Sequence, residues 1–581
     1  MTVFLDNLSA GPAPGSTPTA PLRSVTAPAT EGEIPMVDGI NGHIPSCTNG
    51  NTSGVNGIKS PQVLITPSDK VEDPFSLNKQ YAYTPRKLKV FTIGAGFSGL
   101  LIAHKFQHRF PEMQDIVDHT IFEAHSECDV PAHIYAFPFD PNPEWTRFYA
   151  SGAEILEYFK KTVKKWNLDR DLQLNTKVVG ARWQEELGQW KVTVEHQGVQ
   201  RDEFCHVLIS GQGVLVHENW PDIPGLKDFK GHITHSARWD HNFDYSHKRI
   251  AVIGNGSSGI QIVPQMAKLP GTGVTNFIRG PAWVYYRAPP SKHLGREVDN
   301  PNPAYTETEK EQFRNPEYHQ KYRKGIVSRT NKSFYIFLKG DNNHTGMKAA
   351  AKQMAEKLAY DERLCEMLIP KWELGCRRIT PGPGYLESFL RPNCHLTNSP
   401  ITRISKNAVN TADGKVHEVD VVVCATGFDV SHRPRYPFIG QHNINLREKW
   451  AEEPESYISV MTPDFPNYFM MMGPNCLGGH GSLVESLNWT GDYAVKWIKK
   501  IATEDIKYVV PKKSVVESFM RLLSEIRGED FDITYNTANP FRFMGNGFME
   551  YEMKEQSDLS WYVEVAEEAQ GRGPQACRGV P

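Results

Sequence analysis

Two short glycine-rich segments carry residues whose types and spacing could do chemistry. They are Gly94-Ala95-Gly96-Phe97-Ser98-Gly99 and Gly254-Asn255-Gly256-Ser257-Ser258-Gly259, the second running on into Ile260 and Gln261. In this spacing the first glycine permits a tight turn, the second lets the backbone approach a pyrophosphate, and the third lets a helix lie close against a strand. The phosphate charge then rests on unpaired N–H groups at the helix N-terminus. The strands that follow the two turns end differently. Glu123 closes the first, placed to accept hydrogen bonds from a ribose 2′-hydroxyl, as FAD or NAD offers. Arg279-Gly280 closes the second, where a guanidinium either pairs with the 2′-phosphate of NADP or stands as a solvated surface arginine. Two turns with opposite terminal charges specify two nucleotides, FAD at the first and NADPH at the second.

The elements needed to hold these residues are legible around them. Lys87 to Ile93 is a short apolar strand, Phe97 to about Phe110 a helix, and Thr120 to Phe122 the next strand. Arg249 to Ile253 repeats the pattern, with a helix from Ser257 to Leu269 that Pro264 could bend and a strand from Thr275 to Ile278. Residues from about Pro289 to Lys371 are polar and mostly helix-like, and strand character returns at Val419 to Cys424. The chain before about Thr84 is rich in Gly, Pro, Ser, Thr, Asn and Ala without an apolar period, as expected of a disordered tail. The expected fold is α/β, with two Rossmann-like dinucleotide-binding domains for FAD and NADPH, a helical insertion and a disordered N-terminal tail. Its expected division is a tail at 1–85, a first FAD part at 86–235, an NADP part at 236–380 with the insertion at about 289–371, a second FAD part at 381–565, and a flexible C-terminal tail at 566–581.

Composition excludes several other classes. With 64 Lys and Arg against 67 Asp and Glu there is no electrostatic reason to expect nucleic acid or an acidic membrane as partner. No apolar run is long enough to span a bilayer, and the first residues lack the pattern of a secretory signal. The nine cysteines form no Cys-x-x-Cys pair and no cluster has metal-ligand spacing, so reduced thiols, a cytoplasmic location and no metal are expected.

Just before the second turn stands Phe229-Lys-Gly231-His-Ile-Thr-His235-Ser-Ala-Arg-Trp239-Asp240. Phe229, Gly231, His235 and Trp239-Asp240 resemble, residue for residue, the fingerprint of the type I Baeyer–Villiger flavin monooxygenases. The related N- and S-oxygenating enzymes usually place another residue where Trp239 stands. Other segments resemble that family in the same order: Cys128-Asp129-Val-Pro-Ala-His-Ile-Tyr135, Gly225-Leu226, Arg377-Arg378 and Ala425-Thr-Gly427-Phe-Asp429. The likeness runs from about Arg86 to Val563 and is greatest to fungal enzymes of secondary metabolism.

The resemblance implies that NADPH reduces FAD, that the reduced flavin takes up O2, and that a ketone is oxidised to an ester or lactone. A polyketide or terpenoid ketone is the substrate expected from that branch. It also implies roles. Arg378 would supply a fixed cation that cannot give up its proton, Arg377 would help hold NADP, and Asp129 would hold Arg378 and touch the nicotinamide. Tyr135 would pack against the flavin, Cys128 belongs to the segment lining it and reads as a packed thiol, and Asp429 is the late flavin contact. On its own an Arg-Arg pair would read as a surface patch. His235 and Trp239 suit a linker between the nucleotide domains better than proton transfer. The chain departs from the family pattern in two places, between Glu123 and Cys128 and near Phe519 to Leu523, where segments carried by relatives are missing. A heteroatom-oxygenating or hydroxylating flavin enzyme, and an inactive nucleotide-binding relative, therefore stand as alternatives.

Overall fold

The computed structural model describes residues 84–124, 136–285, 290–298, 302–332, 336, 340–376, 379–476, 482–504, 506–529 and 563–567. The expected tails, up to residue 83 and beyond residue 567, lie outside them.

Short apolar runs flanked by glycine form two parallel sheets, because strands covered on both faces need no polar side. The first has the order Tyr468–Met470, Val207–Ser210, Leu88–Ile93, Val117–Phe122, Leu172–Gln173, parallel throughout. The second has the order Cys394–Thr397, Gly273–Phe277, Arg249–Ile253, Val421–Cys424, His232–His235, again parallel throughout. In each the strand that leads into a glycine turn is central, with partners on both sides. Its carboxyl end is therefore the switch point at which open parallel sheets bind ligands.

The helices Phe97–His104 and Ser257–Met266 pack back on their sheets. The first is shorter than its apolar sequence suggests, because a π turn at Lys105–Arg109 replaces its expected continuation to Phe110. Pro264 is accommodated inside the second, near its end.

Sheet membership does not follow the expected divisions at residues 235 and 380. His232–His235, Cys394–Thr397 and Val421–Cys424, all outside the expected NADP part, belong to the second sheet, whereas Tyr468–Met470 lies in the first. A buried parallel strand is recruited by its neighbour across a long connection, and its own apolar sequence does not say which neighbour that is.

An antiparallel layer of Thr176–Gln184, Gln189–His196 and Val199–Cys205, edged by Phe438–Ile439, shares a core with the first sheet around Trp190, Phe438 and Phe465. The insertion is helical, as its composition suggests, and leans on both sheets. Tyr305 and Phe313 enter the core of the first, while Ala350, Met354, Leu358, Leu364 and Leu368 enter that of the second. No helix among the described residues is long and apolar enough to cross a membrane.

Candidate functional site

The two glycine turns have nearly the same geometry, and each glycine has a different reason to be there. Gly94 has φ +99° and Gly254 φ +109°, a region L side chains rarely adopt, and a Cβ would come within 2.7 Å of the Gly211 oxygen or 2.5 Å of the Ala425 oxygen. At Gly99 and Gly259 it would lie 2.1 Å from the carbonyl oxygen of Gly94 or Gly254. Gly96 and Gly256 are otherwise: their φ values of −74° and −72° suit any residue, and a Cβ would meet nothing within 4 Å. Neither helix has a side-chain cap at its N-terminus. The fold demands the outer glycines, while the middle ones open a space in front of helix N–H groups. A diphosphate fits such a cradle, and a Cβ would fill it.

Around the first turn, Ala95 is buried and its N–H donates to Glu123 Oε2 at 2.9 Å, so the acid at the end of the next strand reaches back to the turn. The Phe97 ring meets that of Phe137 at 4.5 Å, tilted by 50°, and Ser98 is buried.

Around the second turn, Asn255 Nδ2 donates to the Gly280 oxygen at 2.8 Å, tying the turn to the segment that carries Arg279. Ser257 Oγ lies 3.1 Å from Thr380 Oγ1, and Gln261 Nε2 donates to the Ser257 oxygen at 3.0 Å. Ser258 and Ile260 are buried. Arg279 is exposed and makes no hydrogen bond or ion pair among the described residues. Asp429 is committed instead: Oδ1 accepts from Ser431 N–H at 3.0 Å and Oδ2 from Arg435 at 3.1 Å. Burial works to raise the Asp429 carboxyl, but these two partners outweigh it and hold the group below the usual carboxylate range.

One residue that motif spacing passes over is Asn276. It is fully buried, its Nδ2 donates to the Val252 and Gly254 oxygens at 2.9 and 3.0 Å, and Tyr385 donates to its Oδ1 at 2.9 Å. It thus braces the second turn from below. A lone amide inside the strand Gly273–Phe277 was the available signal.

The segment from Phe229 to Asp240 sits where the chain crosses between the sheets. One crossing leaves the first sheet after Ser210 and the other leaves the second after Cys424. They run side by side, with Asn219 N–H donating to the Gly427 oxygen at 2.9 Å and Asp429 N–H to the His217 oxygen at 2.8 Å. His235 is fully buried beneath them, 5.2 Å from the Trp220 ring, with Nδ1 accepting from Ala237 N–H at 3.1 Å. Burial holds its imidazole below the ordinary histidine range. Gly231 leaves no room for a side chain, since a Cβ would lie 2.2 Å from the Asp420 oxygen, and Trp239 stacks on Tyr245 at 4.8 Å.

Cys128, Asp129, Tyr135, Arg377 and Arg378 lie outside the described residues. Next to the last two, Thr380 contacts Ser257 at the start of the second helix, and its oxygen accepts from Tyr285 N–H at 3.0 Å.

Residues 122–292 match the family model described as flavin-binding monooxygenase-like. The chain is 37% identical over 544 residues to the FAD-binding monooxygenase tazF of Aspergillus terreus, covering 83% of this chain and 95% of that protein. It is 30% identical over 454 residues to a Baeyer–Villiger monooxygenase of Pseudomonas aeruginosa, covering 75% of this chain and 82% of that protein. Among solved structures, cyclohexanone monooxygenase from Rhodococcus sp. Phi1, bound to NADP+, superposes with a TM-score of 0.69 at 22% identity, covering 84% of this chain and 100% of that one.

Proposed function

The chain belongs to the family of FAD-binding monooxygenases that includes Baeyer–Villiger monooxygenases, and from that premise we propose that it uses FAD, NADPH and O2 to insert an oxygen atom beside a ketone carbonyl, giving an ester or lactone. The observation that carries the two-cofactor reading is the pair of matching glycine cradles whose neighbouring charges differ, Glu123 at the first and Arg279, exposed and unpaired among the described residues, at the second. Bound FAD and NADPH would supply the redox chemistry, a hydride from the nicotinamide and oxygen activation at the flavin.

The remaining work belongs to the chain. Backbone N–H groups of 96–99 and 256–259 bind the two diphosphates. Glu123 orients a ribose, and a 2′-phosphate is repelled there but attracted by Arg279. Asn255 and Asn276 keep the second turn in shape. Arg378 is the fixed positive charge: a guanidinium with a pKa above about 12 stabilises negative charge developing on oxygen without quenching it by protonation. Asp129 orients that guanidinium. Cys376 and Thr380 flank the arginine pair, and the contact of Thr380 with Ser257 anchors that stretch to the second turn. Asp429 contributes by holding the crossing between the sheets through Arg435 and Ser431. The substrate class this reading takes for the chain is a polyketide or terpenoid ketone.

The test is NADPH consumption with a panel of ketones under oxygen, with product mass read alongside. Ketone plus one oxygen atom is expected from the parent and none from Arg378→Ala. Near-parental turnover in that variant would remove Arg378 from its role. The short span from Glu123 to Cys128 and the departure near Phe519 to Leu523 motivate a second reading, an inactive nucleotide-binding relative. Absorbance of the purified protein decides it, since that reading requires FAD well below one per chain.

A further inference from the structure

Lys105 has no solvent exposure, yet its surroundings are arranged to keep an amine there. Its Nζ donates to Asp492 Oδ1 at 2.5 Å and to Asn488 Oδ1 at 2.8 Å. Arg109 reaches the same carboxylate, Nε to Oδ1 and Nη2 to Oδ2, both at 3.3 Å. Gly491 makes room for the lysine stem, because a Cβ there would lie 2.5 Å from Lys105 Cε. Both basic residues stand on a π turn that sequence periodicity does not reveal. It is closed by Phe110 N–H donating to the Lys105 oxygen at 2.9 Å, and Lys105 and Arg109, four residues apart on it, share one face.

The helices joined in this way run parallel to each other. Helix Phe97–His104 follows the strand Leu88–Ile93, and helix Leu483–Thr503 follows Tyr468–Met470, a strand of the same parallel sheet. Arg86 N–H donates to the Ala502 oxygen at 2.9 Å, which sets the end of the long helix beside the start of the first strand. Both helix N-termini therefore lie at the carboxyl edge of the first sheet. Lys105 is eight residues from Phe97 and Asp492 nine from Leu483. At about 1.5 Å per residue these are about 12 and 13.5 Å, so the pair brings the two N-terminal turns nearly level. Side chains of both helices share one packed core, and the buried ion pair adds a directional, charge-assisted contact at this level.

We propose that Lys105 and Asp492 are positioning residues for FAD, fixing the axial register of the two helices so that both N-terminal turns meet one bound dinucleotide. This rests on the reading of the first glycine turn as the FAD site.

Protein stripped of flavin is titrated with FAD, followed by flavin fluorescence, and with NADP+, while thermal unfolding is recorded without ligand. In Lys105→Met/Asp492→Leu the pair becomes apolar at similar volume, an exchange that is often neutral or stabilising. The expected result is an FAD Kd raised about tenfold or more, an NADP+ Kd unchanged and a thermal midpoint near the parent's. An FAD Kd equal to the parent's overturns the proposal, and so does an equal loss of NADP+ binding, which would mark general loosening. Should the double variant fail to fold, Lys105→Gln/Asp492→Asn carries the same test, since it keeps hydrogen-bonding side chains of similar shape and removes both charges. A parent that takes up no FAD overturns the FAD reading of the turn together with the pair, whereas a parent and variants that bind FAD equally well overturn the pair alone.

Discussion

Replacing Gly256 by alanine separates what the second turn does for the fold from what it does for a ligand. Its backbone, at φ −72° and ψ −174°, suits any residue, and the new methyl meets no atom within 4 Å. The unliganded protein should therefore keep its stability to within about 0.5 kcal/mol, with a small gain from a less flexible unfolded chain. The same methyl occupies the space a diphosphate needs to reach the first N–H groups of helix Ser257–Met266. Hydrogen bonds to charged groups contribute about 1.5–3 kcal/mol each, so losing one raises the NADP+ Kd about 10- to 150-fold. Gly254→Ala is the opposite control. At φ +109°, with the methyl 2.5 Å from the Ala425 oxygen, it should cost about 1–3 kcal/mol or more in the empty protein. Calorimetric titration with NADP+ and thermal unfolding of the unliganded variants measure the two effects separately. If Gly256→Ala bound NADP+ with parental affinity, the open space would not be a diphosphate site and the second nucleotide assignment would fall.

Two further outcomes follow from charge and burial. Arg279 is exposed and unpaired among the described residues, so Arg279→Glu should leave the thermal midpoint unchanged while lowering the preference for NADPH over NADH about tenfold or more. Parental KM values for both nucleotides would remove Arg279 from the site. His104 is buried, stacked on Phe139 at 3.5 Å, and held down to about 3, first by burial and then by the neighbouring His108, Lys105 and Arg109. The unfolded chain takes up this proton near 6.5 and the folded chain only near 3, so the stabilisation is complete above 6.5 and is lost as pH falls between these values. The loss is at most about 1.4 kcal/mol per pH unit. His104→Phe keeps the stack without the titration and should flatten that limb of a denaturant-unfolding profile. An unchanged slope would show that His104 does not contribute to it.

The glycine turns were legible in the sequence because their requirements are local. A positive φ at Gly94 and Gly254 and a close approach at Gly99 and Gly259 are set by residues within a few positions or by the immediately adjacent strand. Strand partnership was not legible. Val421–Cys424 is fully buried and reads as a strand from its own residues, but nothing in Val-Val-Val-Cys distinguishes Arg249–Ile253 from Leu88–Ile93 as the neighbour. The same holds for the π turn. Its residues are compatible with continued α-helix, and the carboxylate that Lys105 and Arg109 meet there lies almost four hundred positions away.

The charged residues at motif ends show the boundary most directly. Glu123, Arg279 and Asp429 were each singled out by position, and position does not say whether a side chain remains available. Arg279 does, being exposed and unpaired among the described residues. Glu123 gives one carboxylate oxygen to Ala95 N–H, so its part in holding the turn and its part in holding a ribose are combined in one group. Asp429 has each carboxylate oxygen taken, by Ser431 and by Arg435. A ligand approaching Asp429 would share oxygens that already accept from Ser431 and Arg435, whereas a phosphate approaching Arg279 displaces only water. The chemistry a sequence advertises is thus a list of side chains of the right type, and the fold decides which of them are already spent on holding the backbone.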